Sequence, residues 1–166
     1  LTTFTLVPSR SRVMAAKLVV VIGVGIMAIL VASAIGALGN LLGAAVHGIS
    51  PVWEFSAGQL AMVVLANTLG MLMGFALGVL ARNTPAAVVG YFVYSLVLPN
   101  IFGALAFYQE WFREIWPWAD FFYSTTALYE GLPTAEGWAQ LAVSGATWML
   151  LPLLVGLRLM LRAEIK

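Results

Sequence analysis

The sequence predicts an all-α protein, a polytopic transmembrane helical bundle of four spans with short outer interfacial helices. Three observations lead there. Of 166 residues, 62% are hydrophobic and only 9% charged, against about 25% charged in an ordinary soluble domain. Four uncharged stretches reach the roughly 20 residues needed to cross a hydrocarbon core about 30 Å thick. Between the third and the fourth stands YQEWFREIWPWADFFYSTTALYEGLPTAEG, too charged to span and too aromatic for a plain loop. The chain reads as one transmembrane domain.

The opening LTTFTLVPSRSRVMAAKL is polar, basic and proline-containing, and three basic residues, Arg10, Arg12 and Lys17, sit directly before the first apolar run. That run, Leu18 to Val46, is longer than a bilayer requires, so it should tilt or project. Its basic start and Ala32-Ser33-Ala34 imitate a cleaved secretory signal. Apolar character continues another dozen residues past Ala34 and no soluble domain follows, so it reads as a retained span. Ala28, Ala32 and Gly36 form a small-residue stripe along it.

The second span, Phe55 to Ala81, carries Gly70, Gly74 and Gly78 at intervals of four. This places them on one helix face, where another backbone can approach closely. Packing within the chain and a subunit or sliding interface are both compatible with that spacing. The third span runs from Ala86 to Phe107, and Pro99-Asn100 predicts a kink near its outer end because proline removes a backbone bond. The fourth runs from Trp138 to Leu157 and leads into a short basic tail, 158–166.

Polar residues within spans are few, among them Asn40, Asn67, Thr68, Tyr94, Ser95 and Asn100, and no Asp, Glu, Lys or Arg lies deep in any of them. An ion-coupled carrier usually needs an ionisable group there. The segment 108–137 is expected to be an outer interfacial or re-entrant element. Trp111, Ile115, Trp118 and Phe122 fall at i, i+4, i+7 and i+11, a helical apolar stripe from which Glu110, Arg113 and Glu114 are displaced. Pro117 should divide it into two short helices or bend a single one. The stripe is either an aromatic belt at the membrane surface or a lid over the exit of a transport path.

Charge orients the spans. With a cytoplasmic N-terminus, Arg10, Arg12, Lys17, Arg82, Arg158, Arg162 and Lys166 all fall inside, seven of eight basic residues, and only Arg113 falls outside. This obeys the positive-inside rule and places both termini in the cytoplasm. A net charge of +1 offers no field for nucleic acid. Chemistry is excluded residue by residue. There is no cysteine and a single histidine, His47, so thiolate sites, disulfides and a His-Glu-x-x-His metal motif cannot be built. Glu110 and Glu114 are of a type that can bind a cation or do acid-base work, but their exposed setting favours a solvated acidic face, and no Gly-Lys-Ser/Thr P-loop ending occurs. No catalytic or metal-binding residues and no bound cofactor are therefore assigned, and any ATP must be bound by a partner.

The residues Thr5-Leu6, Pro8, Arg10, Arg12 and Ala16-Lys17, followed by a long apolar helix, resemble the coupling region and following span of ABC-2 type exporter permeases. The motif is confined to the first 17 residues, whereas the likeness of plan covers nearly the whole chain. Such permeases have two spans, a cytoplasmic coupling helix that touches an ABC ATPase subunit, then four spans with short outer helices before the last. The resemblance implies that 1–17 is the coupling segment, with Thr3, Thr5, Pro8, Arg10 and Arg12 contacting the ATPase. It implies a second permease subunit, as homo- or heterodimer, enclosing a substrate path in the plasma or inner membrane. It also implies that two spans precede Leu1. The family's acidic-basic-glycine element, which would precede the threonines, is not in the chain. The other readings are a secondary carrier or channel, or a membrane scaffold or sensor. A carrier or channel would normally show a broken polar span or a charged pathway residue.

Overall fold

The computed structural model describes residues 10–54 and 56–162. Among these every regular element is helical, and four helices are long and apolar enough to cross a membrane: Arg12–His47, Ala57–Ala81, Thr84–Tyr108 and Ala135–Met160. All four contain the predicted spans or most of them. Helix is the form such sequences must take, because a span can satisfy its backbone N–H and C=O groups only internally.

Two compact units divide at Pro51 and Val52. The first is built on α1, Arg10–His47, an unbroken helix of 38 residues and about 57 Å at 1.5 Å per residue. The basic stretch 10–17 is thus the first two turns of the spanning helix. Gly48, at φ +65°, stops it.

The second unit begins with α2, Ala57–Ala81. Its entry is a capping box: the Ser56 hydroxyl accepts from the Gln59 N–H at 3.1 Å, and the Gln59 side chain accepts from the Ser56 N–H at 3.4 Å. It exits through Arg82, whose φ of 51° and ψ of 19° place a non-glycine residue in the left-handed region. Glycine would adopt that geometry more cheaply. The turn keeps an arginine instead, a basic residue between two apolar helices.

The third span comprises α3, Thr84–Phe92, a wide π turn over Val93–Val97, and α4, Leu98–Tyr108. The last span repeats this plan, with α7, Ala135–Gly145, a π turn over Ala146–Leu150, and α8, Leu151–Arg162. In each case the closing i→i+5 bond is made by a leucine, Leu98 N–H to Val93 O and Leu151 N–H to Ala146 O, and a proline follows at once. Pro99 and Pro152 have no N–H and crowd the carbonyl four residues back. The extra residue in the preceding turn moves that carbonyl aside, one of the recognised origins of a helix kink.

Within this unit α2 packs between the third and last spans, against α3 on one side and α8 on the other. The core gathers on α2 at Ala66 and Met73, on the third span at Tyr94, and on the later elements at Phe121, Leu128 and Leu141. Gly156 of α8 meets α2 at the end nearest Arg82. A Cβ on Gly156 would stand 2.8 Å from Leu80 N and Cα.

Candidate functional site

Between the third and last spans the chain forms α5, Glu110–Ala119, α6, Phe121–Thr126, and a 3-10 turn over Ala127–Glu130. The predicted division into two short helices is present, but it falls at Asp120. Pro117 lies inside α5. The break belongs to Asp120 because its extended backbone, φ −106° and ψ 105°, ends one helix and caps the next.

α5 does not continue away from the bundle. It turns at Gln109 and runs back beside α4. The Arg113 Nε donates to Ala106 O at 3.2 Å. The Phe112 ring lies 5.7 Å from that of Phe102, and the Trp116 ring covers Gly103 at 3.7 Å from the position a Cβ would occupy. The pairing of later residues with earlier ones identifies a re-entrant helix. Its far end reaches the last span, where the Trp148 indole N–H donates to Ala119 O at 2.6 Å.

Depth follows from these contacts. Trp148 lies in the middle of the span Ala135–Met160, and Tyr94 near the middle of Thr84–Tyr108, about 15 Å along the helix from Thr84 at 1.5 Å per residue. Tyr94 touches both Phe122, with ring centroids 6.3 Å apart, and Trp148, at 6.1 Å. The tip of the re-entrant pair, from Ala119 to Phe122, therefore sits at mid-depth in the bundle. Irregular backbone is tolerated at that level only where protein or a water-lined cavity surrounds it. Here protein does: Asp120 is 3% exposed and Phe121 1%.

Asp120 organises the tip. One carboxylate oxygen accepts from the N–H groups of Phe122 and Tyr123 at 2.9 and 3.2 Å, and the other accepts from the Trp116 indole at 3.0 Å. The Ser124 hydroxyl donates to Pro117 O at 2.7 Å, which ties α6 back to α5. Phe121 is held against the last span because Gly145 lacks a side chain. A Cβ there would meet the Phe121 ring at 3.0 Å.

The residues singled out in the sequence fall into different surroundings. Trp111 is 60% exposed and Ile115 is exposed, Trp118 is half-buried, and Phe122 alone reaches the aromatic cluster. The inward face of α5 is instead Phe112 and Trp116, one residue along from the predicted stripe. Gly70 and Gly78 have no atom within 4 Å of where a Cβ would stand, and Gly74 has only the Tyr91 ring at 3.8 Å. The close backbone approach occurs at Gly156. Arg10 and Arg12 lie in the first turn of α1, with the Arg12 side chain exposed. Thr3, Thr5 and Pro8 lie outside the described residues. Glu110 and Glu114 are exposed. Asp120 differs from them: it belongs to no span by sequence, yet re-entry carries it to the depth where the spans themselves hold no charge. Its one local signal is an aspartate directly before an apolar run, the usual mark of a helix start.

Among the described residues no three His, Cys, Asp or Glu side chains come together as a metal site would require. Comparison with known protein families, with characterised proteins and with solved structures gives no match to the chain.

Proposed function

We propose that this chain is the membrane-spanning part of an ABC-2 type exporter permease, which forms a substrate path and is driven by a separate ABC ATPase subunit. The observation that carries the reading is the re-entrant pair α5–α6, held between the third and last spans with its tip at mid-depth. A scaffold or sensor needs no helix pair turned into the core, whereas a transporter needs an element that occludes the outer half of its path. The position of this pair, directly before the last span, is the one the permease resemblance implies. In this reading the opening segment 1–17, with Thr3, Thr5, Pro8, Arg10 and Arg12, receives the ATPase on the cytoplasmic side, and a second permease subunit completes the path.

Site-specific crosslinking tests the reading. Ser11→Cys in the full-length protein, co-expressed with its candidate ATPase, should trap that ATPase, and Thr134→Cys should not. Trapping of lipid alone from Ser11→Cys, with both proteins well expressed, would remove the ATPase-driven reading.

One observation favours a second reading, an ion-coupled carrier. Asp120 is a buried ionisable group at mid-depth, and such groups mark ion pathways in many carriers. Its bonds weigh toward a structural role, since both oxygens accept from N–H groups of the tip itself. Transport that persists in Asp120→Asn vesicles after collapse of proton and sodium gradients would exclude the carrier.

A further inference from the structure

The two π turns lie at one level, and each carries an aromatic residue into the same cluster: Tyr94 from Val93–Val97 and Trp148 from Ala146–Leu150. π turns inside spanning helices are costly to ladder geometry and concentrate at functional sites. Here the wide turn decides where the Trp148 indole points. Residues in an α-helix advance by about 100° each. Loss of the extra residue would therefore rotate the α7 side of the last span against the α8 side by about that angle. The indole could not then stay on Ala119 O.

We infer that the last span's π turn is a register switch that latches the re-entrant pair: the pair is held while the turn is wide and Trp148 donates to Ala119 O, and it is released when the turn narrows. Pro152 sets the wide state by denying the Trp148 carbonyl its usual partner. The latch itself is one hydrogen bond between neutral groups, strong enough to fix a position and weak enough to exchange. Phe121 and Phe122 move with it, since they open α6 directly after Ala119 and Asp120, where this bond holds the end of α5. Packed elements of this kind change between discrete arrangements rather than deforming continuously. The inference rests on the permease reading for what would pass when the pair moves, but the latch is defined by geometry alone.

The test uses the cysteine-free background. Ser144, fully buried on the helix against which α5 and α6 pack, bonds only to carbonyls of its own helix, so Ser144→Cys is a mild reporter. In reconstituted full-length protein it should resist a membrane-impermeant maleimide. Adding Trp148→Phe, which keeps a ring and removes the donor, should speed labelling at least tenfold. Pro152→Ala, which restores the backbone donor, should do the same. Trp148→His, which keeps a ring N–H, should restore protection. Thr134→Cys, labelled equally in every background, controls for folding and access. Unchanged protection in both Trp148→Phe and Pro152→Ala overturns the latch, as does equal labelling of the Trp148→His and Trp148→Phe proteins. Failure of the ATPase crosslink would leave the labelling result standing, and failure of the labelling result would leave the crosslink standing.

Discussion

Gly156 lies against the backbone of Leu80, so close that a methyl group on Gly156 would stand 2.8 Å from Leu80 N and Cα and 2.9 Å from the Val79 carbonyl carbon. The obstruction is main chain, which cannot rotate away as a side chain could. Without a hydrophobic force between helices in lipid, association depends on such close packing. Gly156→Ala must therefore push α8 off α2. A loss of about 1–3 kcal/mol is expected from overpacking of this kind, read as a lowered midpoint of thermal unfolding in detergent. A variant as stable as the parent would mean that the two helices do not cross at this point in solution.

The regular glycine stripe gives the opposite expectation. Gly70 and Gly78 have no atom within 4 Å of where a methyl group would stand, so Gly70→Ala and Gly78→Ala lack a clash and gain helix propensity. Each should be neutral or stabilising, by at most about 1 kcal/mol. The same unfolding measurement decides it. Loss of a dimer without loss of folded protein would show that the stripe contacts a second subunit, the other role its spacing allows.

These two sets of glycines show how far the sequence can be read. Span positions are legible because hydrophobicity is a property of each residue alone, and the four runs match helices in the structure. Gly156 is not legible, because it stands singly among leucines and its role depends on where α2 crosses. The segment 108–137 stands out through its aromatic and charged content. Its inward face differs by one residue from the stripe that spacing suggests, since Trp111 and Ile115 satisfy helical spacing as well as Phe112 and Trp116 do. Only the contacts of Phe112 with Phe102 and of Trp116 with Gly103 choose between them. The mid-depth position of Asp120 is a consequence of re-entry, and no local pattern around it encodes depth. The π turns have a partial signal: Pro99 predicts a kink in its span, and Pro152 stands in the same Leu-Pro context, but neither proline by itself encodes the extra residue in the turn before it.

Arg113, the one basic residue that charge patterning leaves on the outer side, has a structural reason to be there. Its Nε donates to the Ala106 carbonyl, in the last turn of α4, where carbonyls lack helical partners and a cation is favoured. Arg113→Gln shortens the side chain and removes the charge. It should cost about 1 kcal/mol and loosen α5 from α4, with faster amide hydrogen exchange in Trp111 to Trp116 than in α2. Uniform exchange rates in the two proteins would show that the bond does not hold the turn.

Asp120 offers the sharpest partition, because its two oxygens serve different donors. Asp120→Ala leaves the Phe122 and Tyr123 N–H groups and the Trp116 indole without their acceptor in a buried place. Loss of the cap and of the buried bond together should cost about 3 kcal/mol. Asp120→Asn retains one oxygen for the two backbone donors but turns an NH2 group toward the indole N–H, donor against donor. Its cost should be about 1–2 kcal/mol. Trp116→Phe removes that conflict, so the Asp120→Asn/Trp116→Phe protein should be more stable than the sum of the single changes implies. Such a coupling is expected for residues in direct contact and is measured by a double-mutant cycle of unfolding midpoints. Strict additivity would mean that Trp116 and Asp120 do not interact, and the tip would then be held without that bond, by the cap, by Trp148 and by the Ser124 bond to Pro117 O.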